Sequence, residues 1–214
     1  PRLVVLPQLL RFLHHARAPA AHHPIGSALK AIIISGLPAV GKTSVSRQVA
    51  ESLGTPMVGG GDVLKEMAVE EGYTPGGEDW WDKGDGMKFL QERKRHLDFD
   101  KEVDARLLKK AKKGDVVITS YPVPWLTKDG IKVWLAGSVE SRASRMSKRD
   151  GISVSECEAI LSVRDLENYR LYKKIYGIEF GKDLKPFDLV VETDSIDETK
   201  VAEIVIRYVK SRRD

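Results

Sequence analysis

A glycine-rich segment near the start of the chain has the residue types needed to bind a chain of phosphates. Residues 36–43 read GLPAVGKT and fit the spacing G-x-x-x-x-G-K-[ST]. In this pattern the N–H groups of the turn and of the next helix surround phosphate oxygens, the lysine reaches the outer phosphates, and the hydroxyl binds Mg²⁺. We therefore predict a nucleoside triphosphate site, with Lys42 as a catalytic cation and Thr43 as the magnesium ligand.

The surrounding sequence favours the same interpretation. The isoleucines at 32–34 suit a strand buried on both faces, and residues 43–53 have the period of a helix. The glycines let the backbone approach an anion closely. The residues predicted to contact the triphosphate donor are Gly36, Leu37, Pro38, Ala39, Val40, Gly41, Lys42, Thr43 and Ser44.

Two other classes of triphosphate-binding protein lack support in the sequence. A guanine-specific GTPase needs an Asn-Lys-x-Asp element, but the only asparagine is Asn168, within ENYR. Motor ATPases usually end a buried strand with an Asp-Glu pair, whereas the predicted strands here end in VVITSY, VWLAGS and VVETD. Phosphoryl transfer to a small molecule is the remaining hypothesis.

A second glycine-rich stretch, residues 58–67, indicates where an acceptor would bind. It reads VGGGDVLKEM, so three glycines precede Asp62. Gly61 lets an acceptor come close to the backbone, and Lys65, one turn later, is placed to meet its anionic group. Asp62 is a catalytic candidate near the Mg²⁺ shell, and an acid in this place also caps a helix.

An arginine-rich helix is predicted at residues 139–149. Val139, Ala143 and Met146 share one stripe of this helix, and Arg142, Arg145 and Arg149 share the adjacent stripe. Alone, such a stripe is a solvated basic face. Beside a phosphate-binding loop it predicts a lid, because arginines stabilise the charge of a phosphoryl group in transfer.

Two further arginines occur in the next predicted helix. Arg164 and Arg170 are candidates for contacts with the phosphates of both substrates. The tyrosines at 169, 172 and 176 recur on one face of the same helix, and we expect them to serve packing rather than base stacking.

Short β-branched strands alternate with helical segments from residue 30 onward, which predicts an α/β fold with a parallel sheet. The predicted strands are residues 31–35, 55–58, 115–120, 131–136 and 187–193. The predicted helices are residues 43–53, 62–71, 99–113, 139–149, 153–176 and 197–212.

Two regions break this alternation. Residues 72–98 contain glycines, a proline and the pair Trp80 and Trp81, and we predict an insertion that covers the site, with the tryptophans as packing anchors. Residues 1–29 hold four of the five histidines and no acid, and we predict a poorly ordered or loosely docked extension.

Composition and charge indicate the class of ligand and the cellular compartment. Lys plus Arg number 35 against 31 Asp plus Glu, a modest excess that favours small anions over nucleic acid as ligands. The single cysteine, Cys157, cannot form an intrachain disulfide, and no apolar run is long enough to span a bilayer. We expect a cytoplasmic protein without a membrane partner; the oligomeric state is open.

Five segments, in chain order, carry a resemblance to a known group of proteins. They read ISGLPAVGKTSVSRQVAESLG, GGGDVLKEMA, FDKEVDARLLKKAKKGDVVI, IKVWLAGSVESRASRMSKRDGIS and YKKIYGIEF. Together they resemble the archaeal cytidylate kinases, within the P-loop nucleoside monophosphate kinases. The loop is general to P-loop proteins, whereas the Gly-Asp helix start, the arginine-rich lid and YGIEF are more specific to this group.

The resemblance implies a three-layer sandwich around a five-stranded parallel sheet of order 2-3-1-4-5. It separates an extension, residues 1–29, from a kinase domain, residues 30–214. Within the domain it implies a core, a monophosphate-binding region and a lid. The core would be residues 30–60, 114–140 and 165–214, the monophosphate-binding region residues 61–113, and the lid residues 141–164.

The same resemblance implies ATP with Mg²⁺ as donor, CMP as acceptor and direct in-line transfer. By matched position, Asp62 would lie beside the acceptor and the metal, and Arg106 would contact the acceptor phosphate. Arg142, Arg145 and Arg149 would act in the lid.

The chain departs from this group at two places on the acceptor side. The group usually has Ser-Ala-Gly-Asp and then an arginine, where this chain has residues 59–62 as GGGD and then Lys65. The group has Glu-Gly-Arg where this chain has Thr119, Ser120 and Tyr121, so Tyr121 is the substrate-binding candidate at the place of the arginine. Lys and Tyr lack the bidentate grip of Arg on phosphate. Two alternatives therefore stay open: a P-loop kinase for another small-molecule or RNA acceptor, and a nucleotide-binding module without efficient turnover.

Overall fold

A computed structural model of the chain describes the backbone of residues 3–5 and the whole of residues 29–74 and 98–212. The strands are β1 (Leu3–Val5), β2 (Ile32–Gly36), β3 (Met57–Gly59), β4 (Val117–Thr119), β5 (Ile131–Ala136) and β6 (Leu189–Glu192). The helices of the described residues are α1 (Lys42–Leu53), α2 (Gly60–Glu70), α3 (Asp98–Lys113), α4 (Val123–Leu126), α5 (Val139–Asp150), α6 (Val154–Tyr176) and α7 (Glu198–Lys210). Every predicted strand and helix is present with both ends within two residues of the expected positions. Only β1 and the short helix α4 were not predicted.

All strands run parallel in one sheet of order β1-β6-β5-β2-β4-β3. Without β1, the remaining five strands have the order 2-3-1-4-5, so the predicted topology is confirmed. Strand β1 adds a sixth strand at the edge, where Leu3 lies opposite Leu189. It comes from the segment that we expected to be a loosely docked extension.

The sheet is covered on both faces because its central strands are apolar on both sides. Ile32 and Ile34 pack in one cluster with Val49 of α1 and Val205 of α7. Ile33, between them, points to the other face and packs with Leu107 of α3. This alternation produces the three layers of the α/β sandwich.

Helices α5 and α6 form a separate packed pair beside the sheet. Ala143 and Met146 of α5 are buried against Cys157 and Leu161 of α6. The predicted apolar stripe of α5 is therefore its packing face. Ala39, which precedes α1, packs against the same cluster, so this pair touches the glycine-rich loop.

Residues 75–97, with Trp80 and Trp81, and residues 6–28 lie outside the described residues. The predictions made for the insertion and for most of the extension therefore stay predictions. No described helix combines the length and apolarity needed to cross a bilayer.

Candidate active site

The turn between β2 and α1 has the backbone shape of an anion-binding loop. Gly41 has a φ of 97° and Ala39 a φ of 61°, both in the left-handed region. Such alternation aims successive N–H groups at one point in front of the helix N-terminus. At Gly36 a Cβ would lie 2.6 Å from the Leu135 carbonyl oxygen and 2.8 Å from Val40 Cγ1, so a side chain does not fit there.

Lys42, the first residue of α1, folds back over this loop. Its Nζ donates hydrogen bonds to the carbonyl oxygens of Gly36 and Leu37, each at 2.9 Å. Burial and the nearby positive charges of Arg164 and Arg142 lower the pKa of Lys42 to about 7. The site therefore concentrates positive charge where phosphate oxygens are predicted to bind.

A cavity of about 280 Å³ adjoins the loop and shares Lys42 and Thr43 with it. Its other walls come from the start of α2, the inner face of α3, the end of β4 and α6. The remaining described residues that line it are Gly60, Gly61, Leu64, Asp100, Val103, Asp104, Leu107, Thr119, Ser120, Tyr121, Pro122 and Tyr172. The sheet places this cavity at the carboxyl ends of parallel strands, where α/β folds bind their ligands.

One wall of the cavity holds a buried carboxylate. Asp104 of α3 is only 6% exposed, and its Oδ2 accepts a hydrogen bond of 2.8 Å from the Tyr176 hydroxyl. Burial, and then this hydrogen bond, raise the pKa of Tyr176. Tyr176 therefore stays a neutral donor that satisfies the aspartate from outside the cavity.

A buried ion pair fixes the loop from its other side. Arg142 of α5 is 3% exposed and donates to both carboxylate oxygens of Asp165 in α6, at 3.1 and 2.8 Å. Its guanidinium also donates to the carbonyl oxygens of Pro38 and Gly137, both at 3.2 Å. One side chain thus ties α5, α6 and the phosphate loop together.

The comparison with known families decides what kind of protein carries this site. A model of the cytidylate kinase-like family matches residues 31–195, which include the loop, the cavity walls and the ion pair. The chain belongs to the cytidylate kinase-like family.

Proteins similar to this chain are named cytidylate kinases. The chain is 33% identical over 179 residues to a cytidylate kinase of Pyrobaculum aerophilum, covering 83% of this chain and 91% of that protein. It is 33% identical over 175 residues to a cytidylate kinase of Pyrococcus horikoshii, covering 81% and 85% respectively. The enzyme class predicted from the sequence, a nucleoside monophosphate kinase, is thereby confirmed.

A solved structure supports the fold alone. Shikimate kinase from Acinetobacter baumannii in complex with shikimate superposes with a TM-score of 0.53 at 18% identity, covering 86% of this chain and 94% of that one. The likeness shows that the two chains share the P-loop kinase fold.

The three arginines of the predicted lid stripe have different surroundings in this family member. Arg142 is the buried residue described above. Arg145 donates to Thr193, beyond β6, through Nη1 to Oγ1 at 3.2 Å and through Nη2 to the carbonyl oxygen. Arg149 is 62% exposed and is paired with its neighbour Asp150. Their predicted action on the phosphoryl group stays a prediction, and for Arg142 it requires the ion pair to open.

Of the two further predicted arginines, Arg164 is the one near Lys42 and Tyr121. The Arg164 guanidinium is close enough to Lys42 and to the Tyr121 hydroxyl to affect the ionisation of both. Both arginines are exposed on α6, and Arg170 has no such effect on either group. Of these two predicted phosphate contacts, the structure places Arg164 beside the loop.

The acceptor-side candidates of α2 and α3 are engaged with the protein itself. Helix α2 begins at Gly60, so Asp62 sits in its first turn and its Oδ2 accepts the Gly59 N–H at 2.7 Å. Gly61 lines the cavity, and Lys65 is half-buried one turn later.

Arg106 of α3 donates to both oxygens of Glu70 at 2.7 Å and to Glu102 at 2.9 Å. Contact of Arg106 with an acceptor phosphate stays a prediction and needs the side chain to leave these partners.

Sequence reasoning missed Asp100, Asp104 and Asp165. For Asp104 a signal exists, because residues 103, 104, 107 and 111 form one buried helical stripe and this carboxylate interrupts it. The sequence shows that Asp165 is an acid next to Arg164. It does not show that Asp165 pairs with Arg142, because that contact depends on how α5 and α6 pack.

Proposed function

We propose that this kinase transfers the terminal phosphoryl group of ATP to a nucleoside monophosphate, with CMP as the first choice, in a magnesium-dependent reaction. The observation that supports the proposal best is that the phosphate loop and the cavity share Lys42 and Thr43. A donor on the loop and an acceptor in the cavity would therefore meet at these side chains, as direct transfer requires. CMP is preferred because the relatives named above are cytidylate kinases.

The residues at this junction fit Mg²⁺. Thr43 is exposed at the start of α1 and lines the cavity, together with the carboxylates of Asp100 and Asp104. Oxygen donors of this kind suit Mg²⁺, which usually keeps several waters and binds through few protein groups and substrate phosphates. Among the described residues no three His, Cys, Asp or Glu side chains form a metal site by themselves. Thr43 would therefore hold the ion with the nucleotide, and the ion would neutralise charge on the phosphates.

The side chains at this junction have separate roles in binding the donor and in stabilising the charge of the transferred group. Lys42 and Arg164 supply positive charge to the phosphoryl group in transfer, and the loop N–H groups hold the donor. Arg142 orients the loop through Pro38. We further propose that residues 61–113 serve the acceptor and residues 141–164 the lid, as the resemblance implies.

A coupled assay of ADP release tests the acceptor. The wild-type enzyme with ATP and Mg²⁺ is offered CMP, UMP, dCMP, AMP or GMP at equal concentrations. We expect turnover with CMP to exceed turnover with the purine nucleotides by at least about tenfold, because a site built for one base loses hydrogen bonds with another. Equal rates with all acceptors would contradict the CMP assignment.

One observation favours a second candidate, a P-loop kinase for a different acceptor. Among the described residues that line the cavity, Lys42 is the only cation, and Asp100 and Asp104 are the anions. A phosphate acceptor needs cations around it. If the nucleotide panel gives only background hydrolysis, polyols and other phosphate-free hydroxyl compounds are the next acceptors to offer. Tight ATP binding without turnover on any acceptor would support a nucleotide-binding module.

A further inference from the structure

Tyr121 lies at the boundary between the phosphate loop and the acceptor cavity. Its side chain lines the cavity, and the face of its ring lies 4.5 Å from Lys42 Nζ, measured to the ring centroid. This distance is within the range of a cation–π interaction. The residue that an acceptor would touch is therefore also in contact with the lysine of the donor loop.

The Tyr121 ring is fixed by its surroundings. It packs edge-on against Phe180 with centroids 5.5 Å apart and at a tilt against Tyr172 at 6.1 Å. Its backbone carbonyl accepts a 3.0 Å hydrogen bond from the hydroxyl of Ser35, a fully buried residue of β2. Burial raises the pKa of Tyr121, while the charge and hydrogen bond of Arg164 act against this. Side chain and backbone are thus both held, so the ring is a rigid platform.

Lys42 is in turn defined on three sides. Two of its N–H bonds are used by the Gly36 and Leu37 carbonyls, and the ring of Tyr121 faces the remaining side of the ammonium. The like charges of Arg164 and Arg142 lie nearby and repel the ammonium, and the more weakly acting carboxylate of Asp165 attracts it. Without the ring, the ammonium would lose its contact with a side chain of the cavity wall.

We propose that Tyr121 is a positioning residue whose ring face holds the Lys42 ammonium at the junction of donor loop and acceptor cavity. The proposal rests on the proposed function in one respect, that Lys42 acts on the phosphoryl group in transfer. It assigns the ring, rather than the hydroxyl, as the part of Tyr121 that matters for turnover.

Steady-state kinetics of two variants separate ring from hydroxyl. Tyr121→Phe keeps the ring, and Tyr121→Leu removes it while keeping an apolar wall. We expect kcat of Tyr121→Leu to fall about tenfold and its KM for the acceptor to change less than about threefold, since a desolvated cation–π contact is lost. Tyr121→Phe should keep kcat within about threefold of wild type.

A matched control exists in the same chain. Lys182, which follows α6 in the chain, has its Nζ over the ring of Tyr169 of α6 at the same 4.5 Å, and neither residue lines the cavity. Tyr169→Leu should leave kcat unchanged. A raised acceptor KM with unchanged kcat in Tyr121→Leu would overturn the proposal, because it would mean that Tyr121 is only a cavity wall. Loss of kcat in Tyr121→Phe would also overturn it.

A second measurement does not depend on turnover or on the folding of any variant at position 121. Ring currents shift the side-chain methylene signals of a lysine held over an aromatic face. We expect the Lys42 signals of the wild-type enzyme, assigned by Lys42→Met, to be shifted upfield and to stay so with ATP and Mg²⁺ bound. Unshifted signals in either state would overturn the proposal. A wild type that turns over no acceptor would refute the proposed function alone.

Discussion

The two halves of the candidate site are built from different parts of the chain. The donor half is one continuous loop between β2 and α1, whose binding groups are mainly backbone N–H groups shaped by Ala39 and Gly41. The acceptor half is assembled from side chains of α2, α3, α6 and the segment after β4. Backbone geometry suits a ligand part common to all donors, the triphosphate. Side chains from four segments suit the part that differs between acceptors.

The same contrast appears in what holds each half together. The donor loop is held by a buried side chain, because Arg142 reaches Pro38 from the α5–α6 pair. The acceptor half has a buried apolar contact between α2 and α3, which includes Val63 and Leu107, but its ion pairs lie at the surface, where Arg106 and Lys110 of α3 meet Glu70 and Glu66 of α2. Buried pairs are costly to break and surface pairs are not. We infer that the ion pairs of the acceptor half open more readily than the Arg142–Asp165 pair behind the donor loop.

The largest expected effect comes from the donor half. Lys42→Ala should lower kcat/KM by at least about 10²-fold, since it removes a cation preorganised for the transferred phosphoryl group. The measurement is the ADP-release assay with the best acceptor. The thermal midpoint should not fall, because the substitution also removes a half-buried charge near two arginines.

Lys182→Ala is the matched control for this variant. It removes a lysine that also lies over a tyrosine ring but outside the cavity, and its activity should equal that of wild type. Retained activity in Lys42→Ala would contradict the role of Lys42 in phosphoryl transfer, for any acceptor.

The next largest effect is on stability and concerns Arg142, the buried side chain that contacts the donor loop. Arg142→Met should lower the free energy of unfolding by about 2–4 kcal/mol, because it leaves Asp165 and two carbonyl groups without their donor. The lower part of this range applies since the Asp165 side chain is 26% exposed and water can reach it. Denaturant unfolding followed by circular dichroism measures the change.

Arg149→Met, seven residues further along α5, is the control for that experiment. Its side chain is 62% exposed and paired only with Asp150, so its stability should stay within about 0.5 kcal/mol of wild type. Unchanged stability of Arg142→Met combined with lost activity would favour the role predicted from the sequence, an arginine that turns to the phosphates.

These arginines also show where prediction from the sequence ends. Helical period placed Arg142, Arg145 and Arg149 on one stripe, and the strands and helices followed from pattern as well, while the sheet order came from the family resemblance. The period could not tell which of the three would be buried, because that depends on Asp165 lying opposite in α6. Strand β1 was missed since three residues carry too little pattern to indicate a strand. The shape of the donor loop could be anticipated because it depends on one short segment, residues 36–43, whereas its contacts with a donor stay a prediction.

A smaller effect is expected in the acceptor half. Arg106→Ala should raise the KM for the acceptor about tenfold, the size expected for one charge-assisted hydrogen bond, if its guanidinium leaves Glu70 for the acceptor phosphate. Glu70→Gln, which loosens the competing pair, should not raise this KM. Equal KM values in wild type and Arg106→Ala, with lower stability, would mean that Arg106 only holds α3 to α2.

The smallest effect is the pH dependence of this surface contact. A hydrogen bond from Arg106 lowers the pKa of the Glu70 carboxyl below its usual value; burial opposes this shift, and the positive charge of Arg106 adds to it. A carboxyl whose pKa is lower in the folded state binds fewer protons there than in the unfolded chain as acid is added. Its contribution to stability is therefore full above the unfolded pKa and is lost as the pH falls through the folded one. The stability difference between wild type and Glu70→Gln should be greatest near pH 7 and should shrink below about pH 4. Denaturant unfolding at both pH values measures it, and a difference that grows in acid would show that the contact does not bind α2 to α3 through this charge.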